Sequence, residues 1–193
     1  NNVKIKADIS IILLRKTFSR IYMSSDKIKL QTAEISKLDL IEKWLLAAHV
    51  KRWWFKEWAD SIFNGFNHSG VIPGKSNIVY IVTFREKEVG LVHSYPSIIE
   101  ETSGQTNLES GLRYLIGEKE YLNQNLGSLA VKKAIRVVFE NKATERIVSE
   151  PQADNWPAII SLQRAGFRNR GRIKRPGFNL VQLTFSRHLL YKN

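Results

Sequence analysis

Cysteine is absent from this 193-residue chain, which removes a disulfide framework, a thiolate nucleophile and a cysteine-ligated zinc site from consideration. Methionine occurs once, at Met23, and proline five times. Acidic residues are scarce beside basic ones, 18 against 30, leaving a formal net charge of +12. Such an excess favours anionic partners, among them nucleotide cofactors, nucleic acid and acidic membrane surfaces, and weighs against a polycationic substrate. No apolar run approaches the roughly 20 residues that span a bilayer, so no membrane partner is expected. Repeats and low-complexity tracts are also missing, and a cytoplasmic protein, monomeric or homodimeric, is the expectation.

At 193 residues and 43% hydrophobic content the chain suits one globular domain with a sizeable core, and the order of its expected strands and helices makes it α/β. Residues 1–26 stand apart: they carry Lys4, Lys6, Arg15, Lys16 and Arg20 around a short apolar run, Ile9 to Leu14. That run is too short for a secretory signal and lacks a small-residue cleavage site. Residues 1–26 are therefore read as a basic extension, with 1–22 either part of the protein or upstream of its natural start. The domain is read as residues 27–193.

The chain is organised around Gly111–Gly117 and the turn and helix C-terminal to it. Leu112, Tyr114 and Ile116 alternate with Arg113 and Leu115, as in a half-buried strand. A polar turn ending in Asn125-Leu-Gly127 leads to a run over 128–140 with Leu129, Ala130, Ile135 and Val138 at helical spacing. A strand feeding a polar loop that opens a helix leaves unpaired N–H groups, a ready anion site; an ordinary strand–loop–helix connection reads equally well.

Upstream, Ile28, Leu30 and Thr32 alternate as a strand, and 38–48 carries a helical apolar stripe. His49 to Trp58 is dense in aromatics, a satellite core or a substrate wall. Residues 77–82 and 88–95 read as strands joined by a polar turn, with Val89, Leu91, His93 and Tyr95 on one face; 97–110 reads as a loop. Further strands are expected at 145–150, 167–174 and 178–187, with a helix over 155–165 closed by Gly166.

In this order of elements the chain resembles the GNAT superfamily of acyl-CoA-dependent N-acyltransferases, over roughly residues 27–190. The resemblance rests on His49-Val-Lys-Arg-Trp-Trp54, Val89-Gly-Leu-Val-His-Ser-Tyr95, the loop ending at Gly127, and Glu150-Pro-Gln-Ala-Asp-Asn-Trp-Pro-Ala158 with Ala165-Gly-Phe167. It is similar to the branch holding aminoglycoside 6′-N-acetyltransferases and the lysine N-acyltransferases of siderophore biosynthesis. The resemblance implies a mixed, mostly antiparallel sheet with a splayed central strand pair and helices on both faces. It implies acetyl-CoA or another acyl-CoA as cofactor, a small-molecule primary amine as acceptor, and no metal. Cofactor contacts would come from Leu115 and Ile116, from Asn123, Gln124, Asn125, Leu126, Gly127 and Ser128, and from Asn155, with Lys132 and Lys133 near a second phosphate. His49, Trp53, Trp54, Tyr95 and Arg113 would meet the acceptor.

The departures are specific. Asn123 and Asn125 stand where the family carries glycine; Leu162 stands where a proton-donating tyrosine is frequent. Arg113 replaces a histidine or an acid, and Gln152 replaces an aspartate. Arginine cannot accept a proton, so the candidate acceptors are Glu150, His93 and Asp154, in that order; Asp154 also reads as a helix cap. Two other classes stay open. One is a non-catalytic acyl-CoA binder. The other is a nucleic-acid-associated protein, since Arg168, Arg170, Arg172 and Lys174 alternate as a cationic row, which a charged edge strand explains equally well.

Because the first recognisable core strand begins near Ile28, deleting residues 1–22 should leave a soluble, cooperatively unfolding protein. Loss of the cooperative transition in a denaturant melt would place that segment inside the fold.

Overall fold

The computed structural model describes residues 27–66, 77–98 and 108–191. The proposed extension, residues 1–26, and residues 99–107 of the expected loop lie outside them. One seven-stranded sheet runs through the described residues in the order β1-β2-β3-β4-β5-β7-β6. Its strands are β1 (Ile28–Thr32), β2 (Ile78–Phe84), β3 (Lys87–Ile98), β4 (Leu108–Ile116), β5 (Thr144–Ser149), β6 (Arg168–Arg175) and β7 (Phe178–Ser186). Residues 97–98 and 108–110, expected in the loop, are strand instead, because Ser97 pairs with Glu109 and Ile98 with Leu108. Only β4 and β5 run parallel; every other neighbouring pair is antiparallel.

Helices cover both faces. On one lie α4 (Leu126–Val138) and α5 (Trp156–Arg164), whose Leu129, Ile135, Ile159 and Leu162 pack with Val92, Leu112 and Ile147. The other carries α1 (Leu38–Leu46), α2 (Ala48–Lys51) and α3 (Lys56–Phe66), where Ile41, Trp44, Val50 and Ile62 meet Val79, Ile81 and Leu91. With both faces covered, β2 is buried at every position. The expected helix over 38–48 breaks at Ala47, which is extended at φ −61°, ψ 132°. The aromatic cluster hides α3, although Ala59, Ile62, Phe63 and Phe66 stand at helical spacing and face the core. Among the described residues no helix is long and apolar enough to cross a membrane.

Two bulges overturn face assignments based on strict alternation. Opposite Val82 and Thr83, β3 inserts Val89 between Glu88 and Gly90. Val89 therefore packs with Val92 on the α4 face, whereas Leu91 lies on the α1 face and does not share a side with it. In β6, Asn169 and Gly171 oppose the adjacent residues Leu183 and Gln182, so Arg170 is the extra residue. Gly171 adopts φ +110° there. The bulge turns Arg168 and Arg172 to opposite faces, and Arg170 donates to the Thr184 hydroxyl at 2.9 Å. The single cationic row expected for phosphate binding is thus not formed.

β4 and β5 pair only from Leu108↔Thr144 to Gly111↔Val148. β4 continues to Ile116 with no strand partner on that side among the described residues. The phase of its hydrogen bonds is set by the Gly117 N–H, which donates to the Val89 carbonyl at 2.9 Å. Gly90↔Ile116 and Val92↔Tyr114 are then non-hydrogen-bonded pairs, so Tyr114 and Ile116 turn their own N–H and C=O groups away from β3. The sheet is split at its centre.

His93, opposite Arg113 in the β3–β4 ladder, is fully buried. Neither ring nitrogen has a hydrogen-bond partner among the described residues, and burial, aided by the Arg113 charge, holds its pKa down to about 3. The folded state keeps the ring neutral while the unfolded chain protonates it near pH 6.5. Stability should therefore fall on acidification below about pH 6, by up to roughly 1 kcal/mol per pH unit from this group. Replacing His93 with leucine should flatten the pH dependence of urea unfolding by that amount; an unaltered slope would show that the histidine is protonated in the fold.

Candidate active site

The split opens a cleft of about 630 Å³ lined by Tyr114, Leu115 and Ile116 of β4, the start of α4, the start of α5, and the α2–α3 connection. One wall is built by backbone conformation. Asn123 and Asn125 adopt left-handed φ of 59° and 61°, a conformation that asparagine tolerates better than most residues without a glycine's loss of chain entropy. Asn125 occupies the cap position of α4 with no side-chain hydrogen bond to the helix, so the first N–H groups of the helix keep no side-chain cap. Gly127 is required by contact: a Cβ built there would lie 2.6 Å from the Tyr114 ring.

The opposite wall comes from the α1–α3 layer. Lys43 Nζ and Trp44 Nε1 both donate to Glu118 Oε1 at 2.8 Å, and these bonds hold the Glu118 carboxyl below its ordinary range. They tie α1 to the exit of β4. The turn at Ala47 then lets His49 Nε2 donate to the Ile116 carbonyl at 3.1 Å, an acceptor on the open edge. Gln152 donates to the Arg52 carbonyl at 3.4 Å and bridges the segment after β5 to the same wall.

Beyond Arg113, Trp58 and Glu150, which line both spaces, lies a second cavity of about 220 Å³ bounded by Phe55, Tyr95 and Phe178. The Arg113 guanidinium sits 3.9 Å from the Tyr95 ring centroid and 4.4 Å from that of Trp58. Burial lowers its pKa and raises that of Tyr95. Phe55 and Phe178 close the far side with centroids 4.0 Å apart. Glu150 accepts from Arg175 Nη2 at 2.9 Å on each oxygen, from Arg175 Nε at 3.2 Å, and from Gln182 at 3.3 Å.

Of the residues expected to act, Glu150 reaches the cleft. His93 does not: it lines neither cavity and is enclosed between sheet and helices. Asp154 is exposed and also lines neither. It does not cap the helix either, because Asn155 does so, accepting from the Ala158 N–H at 3.2 Å. Leu115, Ile116, Asn123, Asn125, Leu126, Gly127 and Asn155 line the cleft together, as expected of a cofactor wall. Gln124 turns outward to the Glu120 carbonyl, and the Ser128 side chain is buried away from the cleft. Lys132 and Lys133 do not line it. His49, Trp53, Trp54 and Arg113 line the larger space, whereas Tyr95 faces the smaller one.

Trp58, in the stretch read as a satellite core or a substrate wall, lines both spaces. Two other contributors escape a reading of the sequence alone. Trp156 walls the cleft with 59% of its surface exposed despite its size. Tyr114 alternates like any half-buried strand residue, yet its phenol is hydrogen-bonded to Ser161, and burial raises its pKa to about 12. Tyr114 and Leu162, a buried leucine where the resemblance implies a tyrosine, both line the cleft.

Known proteins share this fold. Residues 35–175 match the acetyltransferase (GNAT) domain model. An aminoglycoside N(6′)-acetyltransferase type 1 from Klebsiella pneumoniae is 23% identical over 180 residues, covering 88% of each chain, and its Serratia marcescens counterpart matches equally. Among solved structures, AAC(6′)-Ib in complex with ribostamycin and coenzyme A superposes with a TM-score of 0.72 at 22% identity, over 86% of this chain and 97% of that one. An aminoglycoside N(6′)acetyltransferase from Legionella pneumophila gives 0.68 at 15% identity, over 86% and 95%. The domain match spans most of the described sheet and the cleft at its centre, and it makes this chain a member of the GNAT acetyltransferase family.

Proposed function

We propose that this protein transfers an acetyl group from acetyl-CoA to the primary amine of a small molecule. The observation that carries the reading is the open edge of β4 facing the uncapped start of α4 across one cleft. Tyr114 and Ile116 offer backbone N–H groups, and Tyr114 a carbonyl, to an amide-bearing arm laid along the strand. Asn123 to Ser128 offer N–H groups to a pyrophosphate, and Asn155 lies alongside. When bound, acetyl-CoA supplies an acetyl group activated as a thioester.

The residues of this chain then position and move protons. Once the acceptor's ammonium has given up a proton, the free amine would form the C–N bond as the C–S bond breaks, with the thiolate as leaving group. Glu150, fixed by Arg175 and Gln182, takes the ammonium proton through a water. Tyr114, which lines the cleft, returns a proton to sulfur; with its pKa raised to about 12 it carries that proton at any working pH. Aminoglycoside amines, as the relatives' names indicate, and siderophore-type lysines form the reference panel of acceptors. A non-catalytic acyl-CoA binder would share the cleft but release no thiol.

Acetyl-CoA should raise the melting temperature, as any ligand of the folded state does, and Gly127→Val should remove most of the rise by driving a side chain into the Tyr114 ring. An unchanged melting point at saturating acetyl-CoA would falsify the cofactor site. In steady-state thiol-release kinetics with the best amine, Glu150→Gln and Tyr114→Phe should each lower kcat by about 10- to 100-fold while leaving the acetyl-CoA KM near its original value. Full activity in either variant removes that residue from the proton path.

A further inference from the structure

The acceptor side of the cleft has an unbalanced charge. Arg52, Arg113, Arg164 and Arg175 line the two cavities, and Glu150 is the one acidic residue among the described lining residues. Glu150 is already bound on both oxygens by Arg175 and is further bonded by Gln182. A polycationic acceptor in the smaller cavity would meet the Arg113 and Arg175 guanidinium groups, with Glu150, itself paired to Arg175, as the one carboxylate to receive an amine.

Arg113 is the group at the junction. Its guanidinium stacks between Tyr95 and Trp58, at 3.9 Å and 4.4 Å from their ring centroids, and makes no hydrogen bond or ion pair to any described residue. Stacking engages the faces of a guanidinium and leaves its N–H groups free along the edge, in the fork that fits a carboxylate. A mostly buried cation without a hydrogen-bonded anion is costly for the folded protein, and an anionic ligand offsets that cost. Arg113 lines both cavities, and Arg113 and Glu150 are close enough to affect each other's charge. An acceptor held there therefore presents its amine to Glu150 and an anionic group to Arg113.

We propose that the acceptor carries a carboxylate beside its primary amine and that Arg113, clamped by Tyr95 and Trp58, is the residue that recognises it. This rests on the acetyltransferase reading above, whose class of acceptor it narrows to amino acids and similar ω-amino acids.

The test compares acid and amide partners of equal length: glycine to 6-aminohexanoate, and L-lysine, each against its carboxamide, with acetyl-CoA as donor. At least one acid should exceed its amide by about ten- to hundredfold in kcat/KM, as a charge-assisted hydrogen bond implies. Arg113→Met should reduce that ratio to near one, and Arg113→Lys should keep part of it; a retained melting shift with acetyl-CoA verifies that each variant is folded. Succinyl-CoA with a neutral amine forms a control arm, because an Arg113-dependent preference for that donor would move the carboxylate to the acyl group and overturn the proposal. In parallel, the melting shift that acid and amide add to the coenzyme A complex is read without turnover. Equal shifts and equal kinetics for every pair, or an acid preference that survives Arg113→Met, would also overturn it. Acid-specific, Arg113-dependent shifts with no transfer to any amine would sustain the recognition and count against the acetyltransferase reading alone.

Discussion

The parallel contact between β4 and β5 ends at Gly111↔Val148, and the rest of the site depends on that short length. Where two strands stay paired, their peptide groups satisfy one another. Where they part, each N–H and C=O must find another partner or meet water. Here the parting leaves part of β4's peptide edge in a cleft whose floor is sheet and whose sides are the two helix layers. The burial that stabilises α4 and α1 also fixes the distance across the opening. Trp44, fully buried and bonded to Glu118, joins the core to the rim of the cleft.

The cleft has one wall of backbone dipoles and another of cations and rings. Asn123 and Asn125 put the α4 entrance into left-handed geometry and keep side chains on it. On the far side, Tyr95, Trp58, Phe55 and Phe178 surround Arg113, while Glu150 is immobilised by Arg175 from the end of β6. The first wall suits a phosphorylated, amide-bearing ligand, the second a small molecule whose own charge is not solely positive.

Much of this is legible in the sequence because it rests on local rules. Alternation locates β1 and the later part of β4, and short apolar runs locate β2, β5 and most of β3. Asn155 at a helix start and Gly166 after its end mark α5, and Gly166 is indeed left-handed, at φ +105°. The Pro176-Gly177 turn places the last hairpin, with Gly177 at φ +79°. The failures are non-local. A bulge adds one residue to one strand, and nothing in that strand alone announces it, so alternation misassigns the faces of Val89 and of the Arg168–Lys174 row. Within the site, Glu150 is identifiable as a strand-end carboxylate, but its pairing with Arg175 requires the sheet order. Tyr114 looks like core because half of it is core; only the cleft distinguishes its hydroxyl.

The open edge of β4 is most directly tested by amide hydrogen exchange at Tyr114 and Ile116 with and without coenzyme A, at concentrations where a melting shift establishes binding. Bound ligand should slow exchange at both amides, as an added strand would, while amides of β2 stay unchanged. Unaltered exchange at Tyr114 and Ile116 in the bound state would contradict the assignment of the split sheet as the cofactor's seat.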